Sequence, residues 1–244
     1  MPVDAVIRLH EVCKSFGAQK VLDRLSFEVP AGKSLVLMGP SGSGKSVILK
    51  HIIGLLRPDS GTVEVMGQSV PGMTRVQLAQ MRRDMGYLFQ HSALINWLSV
   101  FDNVALPLRE SRDLPEAEIG RRVTRVLGLV LLDGQEHKLP EQLSGGMQKR
   151  VGLARALVTE PKVILYDEPE SGLDPEMSAN ISAMIRRLQT ELGTTSIAVT
   201  HSLSCALAIG DQLALFEKGR IIISGKPAEV LASGLPRVKE FLGA

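Results

Sequence analysis

Apolar residues along this chain follow two rhythms. Short, near-continuous runs at Ser34–Met38 (SLVLM), Met85–Phe89 (MGYLF), Val163–Tyr166 (VILY) and Ser196–Thr200 (SIAVT) predict strands buried on both faces. Ala5–Val12 and Leu22–Val29 are β-rich and partly alternating, with a turn around Gly17 between them and another at Pro30-Ala31-Gly32. Thr62–Val65 predicts a further strand, and Leu213–Glu217 with Arg220–Ser224 a hairpin turned at Lys218-Gly219. Helical spacing starts at Lys45 and runs to about Leu56, where Arg57-Pro58-Asp59-Ser60-Gly61 stops it. It returns at Val100–Arg109, Pro115–Leu127, Gly145–Val158 and Met177–Leu192, with closing helices at Pro227–Ala232 and Pro236–Leu242. Strands alternating with helices predict an α/β fold, a mainly parallel sheet covered on both faces, interrupted by a helical insert between Gln90 and Thr159.

Composition narrows this picture. The chain has 244 residues, 44% hydrophobic and 22% charged, enough for one sizeable domain. Aromatic residues are only 4%, so aliphatic packing must carry the core. A net charge of +2 lacks the concentrated basic face of a nucleic-acid binder. Cys13 and Cys205 stand in no CxxC pair, so free thiols are expected, with neither disulfide nor zinc. Met1–Leu9 carries Asp4 and Arg8 and has no apolar leader pattern. The longest apolar runs, such as Val126–Leu132, fall short of the ~20 residues a membrane-spanning helix needs, so any membrane role is expected to come through a partner.

Three motifs carry chemistry. Gly39-Pro40-Ser41-Gly42-Ser43-Gly44-Lys45-Ser46 fits G-x-x-x-x-G-K-[ST] between a predicted strand and a predicted helix. Its glycines let backbone N–H groups wrap phosphates, Lys45 reaches the β- and γ-phosphates, and the Ser46 hydroxyl ligates Mg²⁺. Val163–Tyr166 ends in Asp167-Glu168. A carboxylate at such a strand end holds Mg²⁺, which suits Asp167, and Glu168 would then face the γ-phosphate and activate water. Leu143-Ser144-Gly145-Gly146-Met147-Gln148 opens an amphipathic helix. Its free N–H groups make an anion site, although Ser144 also suits a plain helix cap. A second phosphate site on one chain is redundant unless it serves ATP held by another copy.

At this point the chain resembles the ATP-binding cassette ATPases over nearly its whole length. Gly39–Ser46 matches Walker A, Leu143–Gln148 the family signature and Val163–Glu168 Walker B. Ser171-Gly172-Leu173-Asp174 matches the D-loop, Gln90 the Q-loop glutamine and His201 the switch histidine. The resemblance implies a P-loop NTPase core with an N-terminal antiparallel β subdomain (residues 1–90 and 160–244) and a helical subdomain (91–159) bearing the signature, together one ATPase domain over 1–244. It implies a head-to-tail dimer around two Mg²⁺–ATP. Lys45, the rest of the loop and neighbouring Val47 would hold ATP from one side; Ser144, Gly145, Gly146 and Asp174 would close it from the other copy. Ser46, Asp167 and Gln90 would serve Mg²⁺, Glu168 would be the base, and His201 and Gln90 would complete the catalytic set. Phe16 would stack on adenine, with a core position as its alternative. Leu94, Ile95, Trp97 and Leu98 suit a groove for a permease's coupling helix; Trp97 suits a core position equally.

Within the family, the Val47 position, the segment from Gln90 to Glu110 and the stretch LSGGMQKRVGLARAL look like the ATPase of Mla-type lipid transporters. That likeness implies phospholipid trafficking between inner and outer membranes from the cytoplasmic face of the inner membrane. It implies an MlaE-like permease, an MlaD-like MCE-domain protein and a possible MlaB-like STAS-domain partner. A transporter with another substrate, or a permease-free cassette protein, is the alternative. Two departures stand out. Glu170 follows Asp-Glu-Pro where relatives carry an uncharged residue, and it is expected to point away from Glu168, toward a partner copy or a basic side chain. The chain also ends at Ala244, so dimer contacts are expected elsewhere than a C-terminal tail.

Overall fold

A computed structural model describes residues 5–111 and 114–242. The first residues of the Met1–Leu9 stretch lie outside the described set. The chain opens with β1 (Ala5–Phe16) and β2 (Gln19–Pro30), longer than their apolar patterns predict because the register shifts repeatedly along the pair, including around Glu11 at φ 46°. With β4 (Ser60–Val65) and β5 (Gln68–Ser69) they form a four-stranded antiparallel sheet in the order β2-β1-β4-β5.

The second sheet carries the site. β3 (Ser34–Met38), β6 (Met85–Leu88), β7 (Val163–Asp167), β8 (Thr195–Thr200), β9 (Gln212–Glu217) and β10 (Arg220–Gly225) lie in the order β10-β9-β3-β8-β7-β6. Its neighbours are parallel except for the β9–β10 hairpin. Every residue of β3, β6, β7 and β8 is buried. Alternate side chains feed two cores, as the twofold strand period requires. Leu35 and Leu37 pack with Ile7, Leu22, Ile48 and Val63 beneath the antiparallel sheet. Val36 and Met38 pack on the opposite face with the helices.

Those helices are α1 (Lys45–Ile52), α2 (Arg75–Arg83), α3 (Val100–Ser111), α4 (Glu116–Leu129), α5 (Gly145–Leu157), α6 (Pro175–Leu192), α7 (Leu203–Ile209), α8 (Pro227–Leu231) and α9 (Pro236–Leu242). α1 stops short of Leu56 because Gly54, at φ 69°, turns the chain back so that the N–H groups of Leu55 and Leu56 both reach the Lys50 carbonyl. α2 and α7 were absent from the sequence pattern: α2 buries only Met81, and α7 is a short helix capped by Ser202. No helix among the described residues is long and apolar enough to cross a membrane.

Candidate functional site

Parallel register brings four loops together. Met38 pairs with Thr200, Asp167 with Val199 and Leu88 with Tyr166. Gly39, His201, Glu168 and Gln90 therefore leave neighbouring strands at their carboxyl ends, where open α/β sheets bind ligands. The Gly39 N–H reaches the Thr200 carbonyl at 3.3 Å, and the Glu168 N–H reaches the Val199 carbonyl at 2.9 Å.

The phosphate loop is shaped by what it excludes. A Cβ on Gly39 would lie 2.3 Å from the Phe216 carbonyl oxygen, and Gly44 adopts φ 101°, where a Cβ would meet Val21 at 2.4 Å. Glycine is required at both positions. Pro40, Ser41 and Gly42 form the exposed rim, and the Ser43 hydroxyl is buried with no partner among the described residues. Lys45 is 4% exposed; its Nζ donates to the carbonyls of Gly39 and Pro40 at 2.8 Å each and lies 3.9 Å from Glu168 Oε1. Burial pushes its pKa down, and the carboxylates of Glu168 and Asp167 oppose that shift. Val47, next to the loop, packs against the core under the antiparallel sheet.

Ser46 Oγ donates to Asp167 Oδ1 at 2.7 Å, and Tyr87 OH donates to Asp167 Oδ2 at 3.0 Å. Burial, then the Asp167 charge, pushes the Tyr87 phenol up, so it remains a donor. Gln90 Nε2 donates to Glu168 Oε2 at 3.0 Å, and His201 Nδ1 lies 3.6 Å from Glu168 Oε1. Glu168 thus stands at the centre of Lys45, Gln90 and His201, on a backbone at φ 45° that a non-glycine residue adopts at a cost of order 1–3 kcal/mol. Hydroxyl and carboxylate oxygens at Ser46 and Asp167 are hard donors that fit Mg²⁺, which takes one or two protein ligands and completes its shell with phosphate and water. Among the described residues no group of three or more His, Cys, Asp or Glu could hold a metal by itself. The glycine cradle, the unpartnered Ser43 hydroxyl and this oxygen pair fit a Mg²⁺-bound nucleotide.

Other expected residues stand apart. Ser144 caps α5 by accepting from the Met147 N–H at 3.3 Å, and Asp174 caps α6 by accepting from the Met177 N–H at 2.8 Å. Gly145 is exposed, whereas Gly146 lies against Met177. None of these four is hydrogen-bonded to the phosphate loop. Phe16 is 47% exposed, with the Lys14 ammonium 5.6 Å from its ring centre, so its core alternative falls. Trp97 is 81% exposed, which removes its core alternative too. Leu94 packs on the helical core. None of Leu94, Ile95, Trp97 and Leu98 lines a groove of about 690 Å³ between α2, β6 and the helices α3–α5.

Of the two directions expected for Glu170, the one toward a partner copy falls and the one toward a basic side chain stands, since its charge acts on the buried Lys149. It is 6% exposed and accepts from the Thr200 hydroxyl, so it faces the interior. The bond from Thr200, the last residue of β8, holds it there. Sequence reasoning also missed Tyr87, Lys149 and Thr200. Only the position of Tyr87 in a buried strand beside Walker B offered a signal.

The family described as ABC transporter matches residues 22–171. The chain is 40% identical over 242 residues to the "Probable ribonucleotide transport ATP-binding protein mkl" of Mycobacterium leprae, covering 99% of this chain and 70% of that protein. It is 44% identical over 217 residues to the "Sulfate/thiosulfate import ATP-binding protein CysA" of Nocardia farcinica, covering 89% of this chain and 64% of that one. A dimeric post-hydrolysis ATP-binding cassette bound to ADP and Pi superposes with TM-score 0.83 at 31% identity, covering 91% of this chain and 98% of that one. CbiO1 of Clostridium perfringens, part of the transporter complex cbiONQ, superposes with TM-score 0.86 at 28% identity, covering 99% and 100%. The chain belongs to the ABC transporter family: it is an ATP-binding, ATP-hydrolysing cassette, and such cassettes use ATP with Mg²⁺.

Proposed function

We propose that two copies of this chain close around two Mg²⁺–ATP and drive a permease that moves phospholipid between inner and outer membranes. The observation that carries the catalytic part is Glu168, held among Lys45, Gln90 and His201 at the strand ends. In this reading Glu168 accepts the proton of the attacking water. Gln90 and His201 fix its carboxylate, and Lys45 swings from the loop carbonyls to the β- and γ-phosphates. Ser46 and Asp167, with Gln90, would hold Mg²⁺, which would supply charge neutralisation at the phosphates; Tyr87 fixes Asp167. Phe16 stacks on adenine. Ser144, Gly145, Gly146 and Asp174, unused within their own chain except as caps, close the site of the second copy, consistent with the dimeric form of the cassette bound to ADP and Pi.

The groove lined by Arg82, Gly86, Pro107, Leu108, Leu114 and Arg155 is the docking place proposed for the permease, and exposed Trp97 offers it a further apolar contact. Attachment there puts the chain at the cytoplasmic face of the inner membrane. The phospholipid cargo rests on the likeness of the segments around Val47, Gln90–Glu110 and Leu143–Leu157 to Mla-type ATPases. An MlaE-like permease, an MlaD-like MCE-domain protein and an MlaB-like STAS-domain protein are the partners it calls for. A small-anion importer is the second reading, favoured by the relative named for sulfate import.

The test is purification of the tagged chain from solubilised membranes, followed by reconstitution between donor and acceptor vesicles. The expected result is an integral permease and an MCE-domain protein in the complex, with ATP-dependent transfer of labelled phospholipid. ATP-dependent sulfate uptake without lipid transfer would replace this reading with the second.

A further inference from the structure

Two buried charges behind Glu168 have no part in the scheme above. Lys149, in the second turn of α5, is 5% exposed, and Glu170 is 6% exposed. Lys149 Nζ donates to the backbone carbonyl of Glu168 at 3.4 Å, to Ser171 Oγ at 3.2 Å, and to the backbone carbonyl of Gln90. Ser171 Oγ donates to that same Gln90 carbonyl at 3.1 Å. On the other side, Glu170 Oε1 accepts from Thr200 Oγ1, whose oxygen accepts from the Ser202 N–H at 2.8 Å. These last two bonds bracket His201 along the chain.

Stability alone does not explain this arrangement. Taking opposite charges out of water is costly, and a well-packed apolar pair of similar volume often serves stability as well or better. Glu170 even leaves Oε2 without a partner among the described residues. Burial pushes the Lys149 pKa down, and the Glu170 carboxylate is the strongest influence opposing it. Lys149 thus holds the backbone of Gln90 and Glu168, and Glu170 holds the Thr200 hydroxyl that ties down the Ser202 N–H on the far side of His201, while neither is bonded to the phosphate loop.

We propose that Lys149 and Glu170 are positioning residues, a pair of buried opposite charges that fixes Gln90, Glu168 and His201 relative to α5, the helix that opens with the signature. Registry between the signature end of α5 and the base then depends on this pair rather than on backbone packing alone. The inference rests on Glu168 being the base.

The experiment is a double-mutant cycle in the full chain with Lys149→Gln, Glu170→Gln and both together, scored by steady-state ATPase and by thermal melting. Each single substitution is expected to lower kcat about tenfold with KM for MgATP held within about twofold, and the double variant to exceed the product of the singles by about fivefold or more. Lys149→Arg, which keeps charge and donors, is expected to recover most of the turnover that Lys149→Gln loses. If either glutamine variant fails to fold, the comparison of Lys149→Arg with wild type decides: a kcat at or below one-tenth of wild type, about the loss set for a glutamine variant, overturns the proposal. Multiplicative effects, an unchanged kcat in the singles, or a change confined to KM also overturn it. Glu168→Gln is measured alongside. Turnover surviving in Glu168→Gln sinks the base assignment, whereas the cycle alone judges the pair.

Discussion

The two phosphate-type loops of this chain are finished to different degrees. Gly39–Ser46 is tied down from several directions: Gly39 to β8, Lys45 to the loop carbonyls, Ser46 to Asp167, and Asp167 in turn to Tyr87. Ser144–Gly146 bonds to nothing outside its own helix at Ser144, and Asp174 likewise only caps α6. Both loops offer backbone N–H groups, yet one is anchored in a charged, buried cluster and the other is exposed at Ser144 and Gly145, with only Gly146 buried, against Met177. The difference between the two is what the proposed site shared by two chains requires.

The comparison can be broken by mixing. Lys45→Ala damages the finished loop and Ser144→Arg the unfinished one, and each homodimer should lose activity by about 10²-fold or more, the scale of losing one transition-state contact. In an equimolar mixture half the dimers are mixed, and each contains one intact site of two, so activity should return to roughly a quarter of wild type if the interface is symmetric. Mixtures that remain dead would mean that each chain completes its own site.

Dryness of the finished side offers a second test. Cys205, beside Glu170 and Thr200, has its thiol pushed up to about 12, chiefly by burial. A raised folded-state value means the contribution to stability is complete below the ordinary thiol value of 9.0 and disappears as pH rises toward about 12. Melting temperature should therefore fall across that interval, and less steeply in Cys205→Ala. At pH 8 a thiol reagent should modify Cys205 only after unfolding, and rapid native modification would show that the cluster is wet.

The smallest effect belongs to the unfinished side. Asp174→Ala removes one exposed cap bond and should lower stability by about 1 kcal/mol in urea unfolding. A loss of several times that size would tie Asp174 into its own chain's cluster.

The parallel strands and the loops at their ends were legible because a buried strand and a glycine cradle are written in consecutive residues. Ser34–Met38 reads alike in sequence and structure. Side-chain contacts within loops and between segments were not legible. Nothing near Asn103 signals that its side chain holds Ile95, Leu98 and Ser99 after Gln90, and nothing near Glu170 signals a hydroxyl from β8. α2 could have been found, since Thr74 and Gln77 form a capping box whose spacing is visible in sequence. Trp97 and Phe16 were undecided because an aromatic residue suits a core or a surface equally until its neighbours are known.

Helix α5 has 13 residues and so measures about 20 Å, with Ser144 at its first end and Arg155 and Ala156 on the wall of the groove at its other. A hydrogen-bonded rod of this length does not compress. Whatever seats against Ser144 and whatever sits in the groove are therefore at opposite ends of one stiff bar, and neither can shift along its axis without the other end registering the distance.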